Sequence, residues 1–169
     1  SIAHADPAAE LPAVVAVLEG ELVARGPEGE RVIRPEDFFV AYLTTSLEPS
    51  ELLVEVRLPA SPPRTGHAFM EVSRRHGDFA LVGVATTMAL DPDGRIAESR
   101  ICLMGMADVP YRARAAEAAL VGAEPSAEAF ADAAQTAVAD LRPASDVHGS
   151  AAYRSHLATV TVRRALTTV

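Results

Sequence analysis

With 169 residues, 49% of them hydrophobic, the chain is long enough to bury a core in one or two small domains. Its formal net charge of −8 argues against nucleic acid or an anionic membrane surface as the main partner, because both are held largely by Lys and Arg side chains. No apolar run approaches the ~20 residues that span a bilayer and no signal-peptide pattern is present, so we expect no transmembrane segment and a cytoplasmic location.

The first third of the chain predicts a short helical turn followed by a small antiparallel meander. Asp6 followed by Pro7 is typical of an N-cap and a first helical residue, and this turn should stop before Pro12. Residues 13–18 form a β-branched run that predicts a strand. The further elements predicted here are strands at 21–25 and 30–33 around the turn Gly26-Pro-Glu-Gly29, a short helix at 34–39 entered through Pro35, and a half-buried strand at 51–58.

The rest of the chain predicts a second domain. Pro59, Pro62 and Pro63 interrupt the strand pattern, so we place a boundary there, with domains at 1–60 and 61–169. Strands are predicted at 66–73, 79–90 and 95–105, and helices at the alanine-rich segments 111–120, 126–141 and 150–166. The expected fold is therefore of the α+β class, with a three-stranded antiparallel sheet packed on three helices in the second domain.

Few residues offer catalytic chemistry of their own. Cys102 is the single cysteine and lies in an apolar run, so we expect a buried, inert thiol that binds no iron–sulfur cluster. Asp91-Pro-Asp-Gly94 between two apolar runs favours a hairpin turn over a metal site. The sequence has no nucleophile elbow, Rossmann fingerprint or P-loop. The histidines lack the spacing of a zinc hydrolase; they are His4, His67, His76, His148 and His156.

The first ten residues allow two interpretations. Small residues that lead into a helix start let backbone amides approach an anionic ligand closely. The same residues also fit an ordinary capped turn behind a terminal segment. Residues 1–10 by themselves leave both open.

Three segments, taken together, resemble consecutive motifs of one protein family. They are Ser-Ile-Ala-His-Ala-Asp-Pro-Ala-Ala-Glu at 1–10, Leu-Glu-Pro-Ser-Glu-Leu-Leu-Val-Glu-Val-Arg-Leu-Pro at 47–59, and Ala-Phe-Met-Glu-Val-Ser-Arg-Arg-His-Gly-Asp-Phe-Ala at 68–80. In order and spacing they resemble the FAD-binding medium subunit of molybdenum hydroxylases, the family of the carbon monoxide dehydrogenase and xanthine dehydrogenase flavoproteins. In that family a glycine-rich stretch and a small subdomain precede the position of Ser1, so the resemblance implies a chain that lacks its N-terminal subdomain.

The resemblance implies flavin contacts in the first two motifs. Ser1, Ala3 and His4 match positions that line the pyrophosphate and ribityl portion, and Asp6 continues the same loop. Glu10 matches a carboxylate near the polar middle of the cofactor, and Leu53 matches an aliphatic wall beside the isoalloxazine. Simpler roles are also open: His4 as an exposed loop residue, and Glu10 as a charge that favours a helix start.

The third motif adds the residues expected nearest the flavin ring. Met70 stands where some relatives have a lysine, which leaves a charge-based role there in doubt. Asp78 and Phe79 match the loop that approaches the ring. A loop in that position could gate access of the electron acceptor to the flavin. Phe79 also fits a core position, and Arg74 and Arg75 fit either a solvated strand end or a pairing with Asp78.

By this resemblance the chain is an oxidoreductase subunit in which FAD passes electrons from iron–sulfur clusters to an acceptor. Its implied partners are a small subunit with two [2Fe-2S] clusters and a large subunit with the molybdenum cofactor, arranged as a dimer of heterotrimers. The fragment alone is expected to be inactive. One alternative is a truncated, non-catalytic docking module that holds no FAD; another is a free-standing flavin oxidase, which predicts a longer substrate domain than this sequence has.

Overall fold

A computed structural model describes residues 1–75 and 77–169 of the chain. Its helices are α1 (Glu10–Val17), α2 (Pro35–Phe38), α3 (Arg114–Leu120), α4 (Ala127–Val138) and α5 (Ala151–Thr168). Its strands are β1 (Glu21–Gly26), β2 (Gly29–Ile33), β3 (Phe39–Ala41), β4 (Thr44–Thr45), β5 (Leu52–Arg57), β6 (Thr65–Val72), β7 (Val82–Leu90), β8 (Ile96–Met104) and β9 (Tyr111–Arg112). This arrangement confirms the α+β class.

The first half of the chain forms a three-stranded antiparallel sheet in the order β2-β1-β5. The predicted turn closes the β1–β2 hairpin, where Gly26 pairs with Gly29. Gly29 adopts a φ of +118°, which a residue with a Cβ rarely does. One face of the sheet, with Leu22 and Ala24, packs on Phe38 from α2. The predicted hairpin, the helix entered through Pro35 and the strand at 51–58 are thus confirmed.

Two predictions for residues 6–18 were wrong. Asp6 caps no helix: its Oδ1 accepts a 2.8 Å hydrogen bond from Ala8 N in a local turn, and α1 begins four residues later. Pro12 does not stop a helix, because it lies in the first turn of α1, where no intrahelical N–H bond is lost. Residues 13–17 are helical and not a strand, because α1 is buried between two layers, and this packing overrides the β propensity of valine.

The second half of the chain is an antiparallel sheet with helices on one face. Its strand order is β6-β7-β8-β9. The predicted hairpin between β7 and β8 is confirmed, with Asp91 Oδ1 accepting from Arg95 N at 2.9 Å. A two-residue fourth strand, β9, joins the three expected strands because Tyr111 and Arg112 pair with β8 before α3 begins. The strand predicted from residue 79 starts only at Val82, so Phe79 precedes it in a loop.

Helices α3, α4 and α5 cover one face of this sheet and α1 lies on the other. The helix-side core joins Val84, Ile101 and Leu103 of the sheet to Leu120, Ala134 and Val162 of the helices. On the opposite face, Ala13, Ala16 and Val17 of α1 pack on Ala85, Cys102 and Met104. Helix α1 therefore belongs to both cores and joins the two halves of the chain.

A cluster of ion pairs reinforces this junction. Arg112 donates to Glu117 from Nε at 2.7 Å and from Nη2 at 3.0 Å, and its Nη1 donates to the Ala16 carbonyl at the end of α1 at 2.9 Å. Glu117 is only 6% exposed and also accepts from Ile101 N at 2.8 Å. Glu19 accepts from Arg112 at 3.3 Å and from Arg114 at 3.2 Å. One buried carboxylate and one half-buried carboxylate thus tie α1 to β8, β9 and α3.

Within residues 1–75 and 77–169, no helix is both long and apolar enough to cross a bilayer.

Candidate functional site

A cleft of about 550 Å³ opens where the N-terminal loop meets the second half of the chain. Four segments line most of it: Asp6 to Ala8, the loop from Gly77 to Leu81, the segment from Gly105 to Asp108 after β8, and residues of the α4–α5 connection with Arg154. Tyr42 and Arg74 complete the lining. Its size lies within the ~300–1,000 Å³ typical of small-molecule sites. This cleft is the candidate functional site.

The N-terminal loop is anchored at several points. Ile2 and Ala5 pack in the core of the first sheet, in the same cluster as Leu53 of β5. Gly105 N donates a 2.8 Å hydrogen bond to the Pro7 carbonyl. The loop therefore reaches from the first sheet to the end of β8, and it brings Asp6 to the rim of the cleft.

The cleft loop, which we define as residues 77–81, supplies the opposite wall. Phe79 is 72% exposed, whereas Leu81 is buried and its N–H donates to the Val72 carbonyl at 2.8 Å. Asp78 Oδ2 forms an ion pair with Arg74, whose Nη2 lies 3.6 Å away. That oxygen is buried and has no hydrogen-bond partner among the described residues. The cleft loop thus presents an exposed aromatic ring and a carboxylate oxygen that pairs with Arg74 but accepts no hydrogen bond from the described residues.

Residues after α4 form the third wall. Asp146 Oδ1 accepts from His148 N at 2.8 Å and from Gly149 N at 3.0 Å. Its Oδ2 pairs with Arg154 Nη2 at 2.6 Å. The hydrogen bond from the Arg154 guanidinium has the largest effect on Asp146, and the two backbone N–H groups add to it. Together they lower the pKa of Asp146 to about 2. Arg154 also donates from Nη1 to the Leu81 carbonyl at 2.7 Å, so this wall is joined to the cleft loop.

The predicted site residues fall into three groups. Asp6, Asp78 and Phe79 come together at the cleft. Ser1, Ala3 and His4 are exposed on the N-terminal loop, and Leu53 lies half-buried in the core beneath Ile2 and Ala5. Two residues lie elsewhere: Glu10 is exposed in the first turn of α1, and Met70 packs in the helix-side core of the second sheet. The histidine at position 76, between Arg75 and the cleft loop, lies outside the described residues.

Sequence reasoning missed several residues of the cleft. Tyr42, Arg142, Asp146, His148 and Arg154 line it. Arg154 has a recognisable signal, since it falls on the buried stripe of α5 with Ala158, Thr161 and Ala165. A charged side chain on such a stripe requires a specific partner. Tyr42, on the β3–β4 turn, carries no comparable signal.

The described part of the chain offers neither a metal-binding cluster nor an accessible thiol. Among residues 1–75 and 77–169, no group of three or more His, Cys, Asp or Glu side chains is placed to hold a metal ion. Cys102 is fully buried, and burial raises its pKa to about 12. The buried thiol predicted from its apolar run is confirmed. A smaller hollow of about 220 Å³ lies beside α2 and β9, above the ion-pair cluster of Arg112.

Comparison with known proteins assigns both halves of the chain. Residues 67–169 match the CO dehydrogenase flavoprotein C-terminal domain, and residues 1–61 match the FAD binding domain in molybdopterin dehydrogenase. The 6-hydroxypseudooxynicotine dehydrogenase complex subunit alpha of Paenarthrobacter nicotinovorans is 41% identical over 98% of this chain and 56% of its own length.

Solved structures agree with these matches. Carbon monoxide dehydrogenase from Hydrogenophaga pseudoflava, in a form lacking the Mo-pyranopterin moiety, is 39% identical with a TM-score of 0.94, over 99% of this chain and 58% of that one. Quinoline 2-oxidoreductase from Pseudomonas putida 86 is 35% identical with a TM-score of 0.92, over 99% of this chain and 57% of that one. The chain thus spans a little more than half the length of these three relatives. It belongs to the family of FAD-binding medium subunits of molybdenum hydroxylases.

Proposed function

We propose that the protein binds FAD along the N-terminal loop and the cleft, and that it relays electrons from iron–sulfur clusters of a partner subunit to an acceptor. The observation that carries this proposal is the meeting of the two matched regions at one cleft. Asp6 to Ala8 come from the region matched to the FAD binding domain, and Asp78 and Phe79 come from the flavoprotein C-terminal domain. A docking module without FAD is not favoured, because the FAD binding domain matches residues 1–61.

The residues present fit a flavin chemically. The exposed Phe79 ring offers an apolar face for a flat aromatic system. The buried Asp78 Oδ2 has no hydrogen-bond donor among residues 1–75 and 77–169, and a buried acceptor of this kind is costly unless a ligand or water supplies a donor. FAD offers donors of this kind in its ring N–H and ribityl hydroxyls. The exposed Phe79 ring and the Asp78 oxygen without a hydrogen-bond donor lie at the same rim of the cleft, where both could contact such a cofactor.

We assign roles to these residues accordingly. Bound FAD would supply the redox chemistry, because a flavin exchanges electrons singly or in pairs. Phe79 would pack on the ring and exclude water from it, and Asp78 would orient the ring or the ribityl chain by accepting a hydrogen bond. Backbone groups of Ser1, Ala3 and His4 would contact the pyrophosphate and ribityl portion, with Asp6 holding the turn that follows them.

The remaining predicted residues would act at the edge of this site. Leu53 would support the N-terminal loop from below, through the cluster that it shares with Ala5. Glu10 would place a carboxylate near the polar middle of the cofactor from the exposed first turn of α1. Met70 would back the sheet behind the cleft loop from the helix-side core, a purely apolar role.

For partners we propose an iron–sulfur small subunit and a molybdopterin large subunit in a dimer of heterotrimers. Support comes from relatives that are described as parts of complexes, such as the 6-hydroxypseudooxynicotine dehydrogenase complex subunit alpha and the carbon monoxide dehydrogenase medium chain. The domain division at 1–60 and 61–169 remains our proposal for the organisation of the chain.

Retention of FAD tests this function. The purified protein is incubated with excess FAD and desalted, and its visible absorption spectrum is recorded. Flavin bands at a near-stoichiometric ratio would support FAD binding by the chain itself. A colourless protein would contradict FAD binding by this chain on its own.

A further inference from the structure

We propose that Arg154 of α5 is a positioning residue for the cleft loop, and that it sets where Phe79 stands at the cleft by holding the Leu81 carbonyl. The expected effect of Arg154 on FAD binding rests on the proposed function. The effect on the loop itself does not, because it follows from the contacts of the protein alone.

Arg154 joins two walls of the cleft through one buried guanidinium. Its side chain is 9% exposed. Nη1 donates to the Leu81 carbonyl at 2.7 Å, and Nη2 donates to Asp146 Oδ2 at 2.6 Å. A planar guanidinium held at two points keeps a fixed orientation, which a single contact would not ensure.

The Leu81 contact fixes the base of the cleft loop. The Leu81 N–H donates to the Val72 carbonyl at 2.8 Å, and its own carbonyl accepts from Arg154. Both backbone polar groups of this residue are therefore held, one from β6 and one from α5. Phe79 lies two residues earlier and is 72% exposed, so its ring has little packing of its own to define its position. The position of the Phe79 ring therefore depends on how the base of the cleft loop is held.

Asp146 makes the Arg154 anchor rigid. Its second carboxylate oxygen accepts from two backbone N–H groups, those of His148 and Gly149. Ser150 then caps α5, with its Oγ accepting from Tyr153 N at 3.2 Å. The guanidinium is thus held against a turn that is itself closed by hydrogen bonds. An apolar side chain would suffice to fill this place on the buried stripe of α5, so packing alone does not require an arginine here.

The test uses a reporter on the loop. The protein contains no tryptophan, so Phe79→Trp places a single fluorophore at the cleft. In this background we compare Arg154→Met, Asp146→Asn and the control Arg163→Gln, which removes an equal charge from an exposed position of the same helix. Two measurements are made without FAD, well below the thermal transition: the fluorescence anisotropy of Trp at position 79, and the rate of tryptic cleavage after Arg74 or Arg75. Quenching of the same fluorophore by added FAD is measured third.

We expect Arg154→Met to lower the anisotropy and to speed cleavage about tenfold, because the base of the loop opens more often. Asp146→Asn should change the anisotropy and the cleavage rate in the same direction but by less. Arg163→Gln should give the same values as the protein that carries Phe79→Trp alone. FAD at saturation should quench the reporter less in Arg154→Met than in the parent. Unchanged anisotropy and cleavage in Arg154→Met would overturn the proposal, even if its thermal stability fell.

Two further outcomes are decisive. If Arg154→Met does not fold, Asp146→Asn provides the test of the proposal, because the Asp146 side chain is partly exposed. Anisotropy and cleavage equal to those of the Phe79→Trp protein would then overturn the proposal. If the protein with Phe79 intact does not retain FAD after desalting, the proposed function fails. The role of Arg154 is then still decided by the two measurements made without FAD.

Discussion

The carbonyl oxygen of Pro7 accepts a 2.8 Å hydrogen bond from the backbone N–H of Gly105. This contact joins the N-terminal loop to the end of β8 at the floor of the cleft. Gly105 has a φ of +73°, and a Cβ on it would lie 2.9 Å from the Leu81 carbonyl oxygen. The same glycine therefore sits between the two loops that form the candidate site.

Gly105→Ala should be more destabilising than a glycine substitution that adds backbone strain from a positive φ without a steric clash. The new Cβ would combine an unfavourable φ with a clash against backbone, for a loss of roughly 2–3 kcal/mol in the free energy of unfolding. Gly94→Ala is the matched control, because Gly94 has a φ of +85° but open space around its Cβ position. It should lose only about 1 kcal/mol. Urea denaturation of both variants checks this, and equal losses would contradict the close approach at Gly105.

Glu117→Ala should be severely destabilising. It would leave the Ile101 N–H and the Arg112 guanidinium without their buried acceptor, and such a loss costs about 3–5 kcal/mol. Glu36→Ala is the control, since Glu36 contacts Arg114 at the surface and exposed pairs contribute about 1 kcal/mol or less. Thermal melts of the two variants make the comparison. A Glu117→Ala protein as stable as the control would contradict the junction described above.

Acid should weaken the protein partly through Glu19. Partial burial opposes its charged form, but Arg100, Arg112 and Arg114 outweigh that effect, so the pKa of Glu19 falls below its ordinary value of 4.5. A lowered folded-state pKa gives stability that is fully present above 4.5 and is lost as the pH falls through the lowered value. Glu19→Gln should therefore flatten the pH dependence of the unfolding free energy between pH 4.5 and the lowered pKa of Glu19. A slope identical to that of the parent would exclude this contribution.

Cys102 should be unreactive until the protein unfolds. Burial raises its pKa to about 12, so almost no thiolate exists near neutral pH. A colorimetric disulfide reagent at pH ~8 should label no thiol in the native protein and one thiol per chain in denaturant. Fast labelling of the native protein would show that the face of the sheet under α1 opens readily.

Local signals in the sequence predicted much of the fold. The turns Gly26-Pro-Glu-Gly29 and Asp91-Pro-Asp-Gly94 each place a glycine where the backbone needs a positive φ, and both hairpins form as expected. Helix α1 was mistaken for a strand because its valines favour strands locally. Its burial between two cores is a long-range property that no window of the sequence contains.

The candidate site was predictable only in part. The motif positions predicted that Asp6, Asp78 and Phe79 belong to one site, and all three line the cleft. They could not show that Met70 points into the helix-side core, because this depends on the register of β6 against β7, where Met70 pairs with Val84. Arg154 and Asp146 are distant in sequence from the motifs and reach the cleft only through the packing of α5 on the sheet.

The central claim is that the Asp78 and Phe79 rim holds the flavin. Its most direct test is the dissociation constant of FAD, measured by flavin fluorescence for the parent, Phe79→Ala and Phe69→Ala. Phe69 is also exposed but does not line the cleft. We predict that Phe79→Ala weakens binding about tenfold, close to 1.4 kcal/mol, while Phe69→Ala stays near the parent value. Equal affinities for all three proteins would contradict a flavin at this rim.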